Sequence, residues 1–270
     1  EFDSEEGFWN AGRRGENKGY RPKHKGGYSP AAPIDSLKFL RKEIARELLA
    51  NDIEVETGHH EVATAGQCEI DMKYDDLVTM ANNLTWFKHA VKNVAAKYGK
   101  TATFMPKPMA GDNGSGMHTH QSLFKKSKNL FYDPKAYAEL SKTGLSYAGG
   151  LLSNIQILLS ISNPTLNSYR RLVPHFEAPT SLAFSKRNRS ACVRIPMYYK
   201  REEKAKRIEF RTPDPSCNPY LAFSAMLVFG IDGIKRKLDP QKLGFGPYDE
   251  NVLDNAKIPQ TPNNLFSILN

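Results

Sequence analysis

Polar residues recur at every second position in three stretches of the chain. His118, His120 and Ser122 form one set, and Arg207, Glu209 and Arg211 form another. Glu61 and Glu69 form a third if the turn between them keeps parity. Strand side chains alternate, so even spacing places each set on one sheet face. A face with three carboxylates, two imidazoles and two guanidiniums is too costly to desolvate as core, so a wet, ion-containing cleft is expected. Carboxylates with a single imidazole suit a hard or borderline divalent cation, Mg2+ or Mn2+. Arginines suit phosphate and carboxylate, which they grip bidentately. The run Asp112-Asn113-Gly114-Ser115-Gly116 adds a glycine-rich loop that matches neither Walker A nor GxGxxG. Metal, arginines and glycine loop together point to phosphoryl transfer, with the arginines holding the charge that spreads over the transferring group.

Each set has a blander reading when taken alone. His59-His60 reads as a turn or surface pair, because the HExxH spacing of a metal-binding helix is missing. His118 divides evenly between satisfied core histidine and ligand. Glu61 and Glu69 could be strand-edge charges, and Arg207, Glu209 and Arg211 a solvated alternating strand. The joint presence of all of them is what favours the site.

The elements that must carry these residues follow from periodicity. Pro33-Ile34-Asp35-Ser36 opens a helix through Leu37, Leu40, Ile44 and Leu48 that Asn51-Asp52 ends. Ile53–Glu56 reads as a short strand. Glu61–Thr64 and Gln67–Lys73 read as a strand pair around Ala65-Gly66. Asp75–Tyr98 is a long amphipathic helix closed by Gly99. Thr101–Met105 reads as a strand, Gly111–Gly116 as a loop, and His118–Phe124 as a further strand. Pro134–Ile161 is mostly helical, Ala191–Ile195 and Lys206–Arg211 are strands, and Pro219–Leu238 is a long helix. Residues 7–33 are loop-like. Strands and helices do not alternate as βαβ units, so the expected class is α+β.

Composition narrows the function. The chain has 270 residues, with 40% hydrophobic and 10% aromatic, enough for a sizeable core. Its longest apolar stretch, near Leu221–Ile231, is far shorter than the about 20 residues of a membrane span, and no signal-peptide core opens the chain. Cys68, Cys192 and Cys217 are far apart, which argues against a disulfide framework or a cysteine zinc site and favours a reducing, cytoplasmic setting. The charge of +9 fits either nucleic acid or small anionic substrates. The basic runs Lys23-His24-Lys25, Lys125-Lys126-Ser127-Lys128 and Lys235-Arg236-Lys237 are short, and no nucleic-acid-binding motif accompanies them, so neither a nucleic acid nor a membrane is expected as partner.

Longer motifs add a family resemblance. The run from Lys107-Pro108-Met109 through Gly111-Asp112-Asn113-Gly114-Ser115-Gly116-Met117-His118-Thr119-His120-Gln121-Ser122 resembles the ATP-binding signature of glutamine synthetases. So do His59-His60-Glu61-Val62-Ala63-Thr64-Ala65-Gly66-Gln67-Cys68-Glu69, Asn163-Pro164-Thr165, Asn188-Arg189-Ser190 and Arg207-Ile208-Glu209-Phe210-Arg211. The resemblance is to the bacterial and archaeal type I class and covers nearly the whole chain.

It implies an α+β catalytic-domain fold, a curved antiparallel sheet flanked by helices, and an enzyme joining ammonia to L-glutamate with ATP through γ-glutamyl phosphate. Glu61 and Glu69 are then ligands of one metal, and His118 and Glu209 of another, with two or three Mg2+ or Mn2+ per site. Glu56, Tyr74, His120, Ser122, Arg194, Lys204 and Arg207 hold the nucleotide, Tyr74 by stacking on adenine. Asn113 and Gly114 hold the glutamate backbone, and Arg171 and Arg211 its carboxylates. Arg189 stands at the transferring phosphoryl group. Glu177 is the flap carboxylate that closes over the intermediate and takes a proton from ammonium. A homo-oligomer, the double-ring dodecamer of the family, shares sites between subunits.

Departures from the family pattern also count. His175-Phe176 replaces the usual Gly-Tyr before the flap glutamate, and Cys68 stands where Asn is common. On this reading 1–270 is part of one catalytic domain. It lacks the family's N-terminal β-grasp domain, a strand with two acidic metal ligands and the C-terminal helical segment, and is expected to be inactive alone. Tyr248 lies near a tyrosine that some relatives adenylylate, but in different surroundings, so modification is not expected. Two alternatives stay open: a ligase that joins glutamate to a polyamine, and a non-catalytic protein on the same scaffold.

Overall fold

A computed structural model describes residues 22, 24–197, 202–250 and 258–269. The chain divides into two compact units. One comprises Glu1–Phe104 with Pro108–Gly114, the other Met105–Lys107 with Ser115–Asn270. Among the described residues no single helix is long and apolar enough to cross a membrane.

The first unit is built from α1 (Lys38–Leu49), β1 (Val55–His60), β2 (Cys68–Met72) and α2 (Leu77–Lys97). Leu40, Ile44 and Leu48 recur on one face of α1 and meet Ala90 and Val94 of α2, with Ile53, Val55, Ile70 and Met72 closing the cluster. Asp76 caps α2, its carboxylate accepting from the amides of Val78 and Thr79. The helix expected to open at Pro33 starts at Lys38 instead. Asp35 is occupied by a buried ion pair with Arg41 and does not cap the helix.

Two expected strands are corrected here. Val55–His60 pairs antiparallel with Cys68–Met72, so the partner of β2 lies before Glu61. Glu61–Thr64 is turn, because Asp112 captures the amide and the hydroxyl of Thr64, at 2.9 and 2.7 Å. Thr101–Met105 has strand-like composition but forms no ladder among the described residues and runs as loop.

The second unit carries a four-stranded sheet in the order β3 (Thr119–Gln121), β8 (Ile208–Phe210), β7 (Ala191–Arg194), β6 (Ser181–Ser185). The first three pair antiparallel; β6 and β7 are parallel. A small hairpin, β4 (Phe124–Lys125) with β5 (Lys128–Asn129), follows β3. The helices are α3 (Lys142–Ser153), α4 (Ile155–Ser162), α5 (Leu166–Arg171), α6 (Pro219–Lys235) and the short α7 (Phe266–Leu269). Their core joins Leu151, Leu152, Leu158 and Leu159 to Phe184, Val193, Ile208 and Phe210 of the sheet. Helices and antiparallel strands in separate runs make the chain α+β.

Helices α3 and α6 touch backbone to backbone. A Cβ on Gly150 would lie 2.1 Å from the Phe229 carbonyl, and one on Gly233 would lie 2.6 Å from Gly150 Cα, so neither position admits a methyl group. From this contact Tyr147 sends its hydroxyl to Gln121 Oε1 at 2.7 Å, and Gln121 Nε2 reaches Met226 Sδ at 3.3 Å. The helix pair thereby holds the strand that carries His120. The edge strand β6 and the helix α5 are absent from the expected elements. β6 is five residues long and buried at nearly every position, and α5 is only six residues long. A capping box of Thr165 and Ser168 marks its start.

Candidate active site

In the first unit the β1–β2 ladder brings His59 opposite Glu69. Glu61 follows at once in the turn, and ligand atoms of His59, Glu61 and Glu69 all lie within 4.8 Å of one another. His59 Nε2 is 3.5 Å from Glu69 Oε1, and His59 Nδ1 is 3.8 Å from Glu61 Oε1. Burial, then the carboxylates of Asp71 and Glu61, push the Glu69 pKa up to about 7. Crowded carboxylates of this kind are the donor set a hard divalent cation neutralises. His59 belongs to this group although its sequence context reads as a surface pair; only the strand register reveals it.

The glycine loop is fastened to the same unit. Asp112, fully buried, binds Thr64, and Gln67 Nε2 donates to the Gly114 carbonyl at 2.9 Å. This contact fixes the turn that carries Glu61. Asn113 is buried beside it with its Oδ1 unpartnered among the described residues. Such an orphan acceptor costs stability unless a ligand donates to it. Glu56 and Tyr74 lie on the exposed surface of this unit, Tyr74 at 76% exposure.

In the second unit Glu209 is the centre. Register places it opposite His120 on β3 and opposite Arg194 on β7, making one row across three strands. Its carboxylate is 2% exposed and holds two guanidiniums. Arg194 Nη1 donates to Oε2 at 2.8 Å, and Arg211 Nη1 donates to Oε1 at 2.5 Å. His118 Nδ1 stands 3.3 Å from the same Oε1. Burial, then Arg211 and Arg171, hold the His118 imidazole well below its usual pKa, leaving a neutral ring able to ligate. His120 accepts from Arg207 Nε at 2.8 Å. Its edge reaches the surface, yet desolvation and the nearby guanidiniums lower its pKa to about 4.

Arg171 lies behind this row, 4% exposed, its guanidinium donating to the carbonyls of Thr212 at 2.8 Å and Arg211 at 3.1 Å. Gly116 makes room for it, since a Cβ there would lie 2.4 Å from Arg171 Nη2 and 2.9 Å from His118 Nε2. Arg211 also reaches the Arg189 carbonyl through Nε at 3.0 Å, which ties the Arg189 loop to the row. Asn129 Nδ2 holds the carbonyls of Lys206 and Glu203 at 2.7 and 3.0 Å, setting the turn with Lys204.

Lys204, Ser122 and Glu177 are exposed and stand outside the hydrogen-bonded row. Glu177 ends a tight turn in which His175 and Glu177 both take left-handed backbone, φ 68° and 57°. Lys107 Nζ sits 3.7 Å from the centroid of the Phe176 ring in the same turn. Tyr248 packs behind β6 and β7 with Ala183, Ala191 and Ile258, and its hydroxyl donates to the Gly244 carbonyl at 3.0 Å. Arg189 is exposed at the tip of its loop.

The chain is similar to known proteins. The family described as glutamine synthetase, catalytic domain, matches residues 2–270. A glutamine synthetase of Streptomyces filamentosus is 52% identical over 273 residues, which is 99% of this chain and 57% of that protein. One from Mycolicibacterium smegmatis is 50% identical over 275 residues, 100% of this chain and 57% of that protein. A cryo-EM structure of Plasmodium falciparum glutamine synthetase superposes with a TM-score of 0.78 at 39% identity, covering 82% of this chain and 42% of that one. The chain thus spans rather more than half the length of its curated relatives. On its sequence match and its fold, it belongs to the glutamine synthetase catalytic-domain family, in the bacterial type I class.

Proposed function

We propose that the protein ligates ammonia to L-glutamate at the expense of ATP, through γ-glutamyl phosphate. The observation that carries this reading is the row at Glu209. Family motifs distant in sequence converge there into a buried carboxylate flanked by two guanidiniums and a neutral imidazole.

The donor sets fit divalent cations, Mg2+ or Mn2+. Glu61 and Glu69, with His59 beside them, would hold one, and His118 and Glu209 another. Bound ions supply positive charge to phosphate and carboxylate oxygens. Asn113 Oδ1, an orphan acceptor, suits the amino group of glutamate, with the Gly114 backbone beside it. Arg171 and Arg211 take its carboxylates. Arg194, Arg207, Lys204, His120 and Ser122 bind ATP phosphates and sugar, and Glu56 and Tyr74 the nucleoside. The γ-carboxylate oxygen attacks the terminal phosphorus and ADP leaves, with Arg189 balancing the charge on the transferring group. Glu177 accepts a proton from ammonium. The freed ammonia attacks the acyl carbon, phosphate departs, and glutamine forms. The same reading expects a cytoplasmic homo-oligomer, a double ring of twelve subunits.

His175 and Phe176 favour one second reading, in which the flap admits a polyamine. Turnover with ammonium and with putrescine separates the two. Activity confined to putrescine would overturn the ammonia assignment.

A further inference from the structure

Asp249 is the hub of a hydrogen-bonded latch outside the clusters above. Its Oδ1 accepts from the Tyr137 hydroxyl at 2.5 Å, the Ser185 hydroxyl at 3.0 Å and the Lys186 amide at 3.3 Å. Its Oδ2 lies 3.2 Å from Lys186 Nζ. Ser185 Oγ accepts in turn from the amides of Arg187 and Asn188, at 3.2 and 3.1 Å. One hydroxyl thus donates once and accepts twice, its full capacity. Asn188 Nδ2 completes the latch on the Glu250 carbonyl at 2.7 Å.

Lys186, Arg187 and Asn188 belong to the loop between β6 and β7 that presents Arg189. Arg211 holds the Arg189 carbonyl from the β8 side. Asp249 holds the start of the same loop. The segment bearing Asp249 is itself fixed to β6, because Phe184 donates to the Phe245 carbonyl at 2.9 Å and accepts from the Tyr248 amide at 3.1 Å. The loop backbone carries the Arg189 side chain, so a shift of the loop moves its guanidinium.

We propose that Asp249 is a positioning residue for Arg189, fixing the loop that aims this guanidinium at the transferring phosphoryl group. The proposal rests on the reading of Arg189 given above. A group that acts on charge developing in the transition state must be held within about 0.5 Å of its productive position. Loosening it lowers kcat and leaves ground-state binding almost intact.

The test uses the holoenzyme with Mg2+ and compares Y137F, D249N and D249A, each checked for unchanged circular dichroism. Steady-state kinetics are combined with hydrogen exchange at the amides of Arg187 and Asn188. We expect kcat to fall about threefold in Y137F and at least about tenfold in D249A, with KM for ATP and glutamate within about twofold. The Arg187 and Asn188 amides exchange faster in the same order. In an R189A background D249A lowers kcat by less than about twofold, because the two changes act through one group. An undiminished effect of D249A in that background, or a rise in KM at constant kcat, would overturn the proposal. Unchanged exchange in D249A would refute the latch alone. A normal kcat in R189A would instead refute the role of Arg189 on which the proposal rests.

Discussion

Glu209 and Arg194 face each other across neighbouring antiparallel strands, and Arg194 Nη1 lies 2.8 Å from Glu209 Oε2. Arg211 occupies the other oxygen, so one buried carboxylate pairs with two cations. Removing it leaves Arg211 buried and unpaired, a loss of about 3 kcal/mol of folding stability on the usual scale for buried pairs. Glu209→Gln is expected to lower the urea midpoint by a corresponding amount and to abolish stabilisation by added Mn2+ at this site. An unchanged midpoint would contradict this account of the row.

Glu69 gives a dependence on pH whose sign is fixed. Its pKa rises from 4.5 to about 7 in the folded chain, so the folded state keeps a proton that the unfolded state releases. That contribution is fully present below pH 4.5 and is lost as pH rises through 7. Metal-free protein should therefore lose melting temperature between pH 5 and pH 8, about those limits, and Mn2+ should reverse the trend by favouring the ionised carboxylate. Glu69→Gln should flatten the metal-free curve. The same slope in that variant would show that another group is responsible.

Gly116 admits no side chain without moving Arg171 or His118. Gly116→Ala is predicted to cost about 1–3 kcal/mol, the usual range for overpacking. Isothermal titration should also show weakened Mn2+ binding, since the methyl group crowds His118 Nε2 as well as Arg171. Full affinity in this variant would contradict that crowding of a metal ligand.

The turn before Glu177 carries a local strain. His175 has φ 68°, a region that glycine enters freely. His175→Gly should raise stability by up to about 1 kcal/mol, and His175→Val should lower it. Phe176→Leu removes the ring beneath Lys107 Nζ, worth about 0.5–2 kcal/mol. Its kcat/KM for ammonium is expected to fall about two- to thirtyfold on that scale. A parallel assay with putrescine shows whether this turn also selects the amine.

Much of this was legible from residue order because periodicity reports burial. Leu40, Ile44 and Leu48 announced α1, and the span Asp75–Tyr98 with its Gly99 stop announced α2, whose cap is Asp76. The set Arg207, Glu209 and Arg211 was visible as an alternation, and the row at Glu209 follows from it. What stayed hidden depends on partners distant in sequence. His59 joins Glu69 through a ladder whose register no local pattern specifies. Glu61–Thr64 alternates like a strand, but Asp112, 48 residues beyond Thr64, takes the backbone that a ladder would need. Arg171 resembles a surface arginine at the end of α5 until Gly116 is seen to make room for it.

The central claim is tested most directly by following isotopic oxygen. L-glutamate labelled with 18O in its side-chain carboxylate is supplied with ATP, ammonium and Mg2+, and the released phosphate is analysed by mass. Attack of that carboxylate on the terminal phosphorus, then its departure with phosphate, predicts one 18O in each phosphate and one glutamine formed per ATP consumed. Unlabelled phosphate, or ATP consumption without glutamine, would contradict the account.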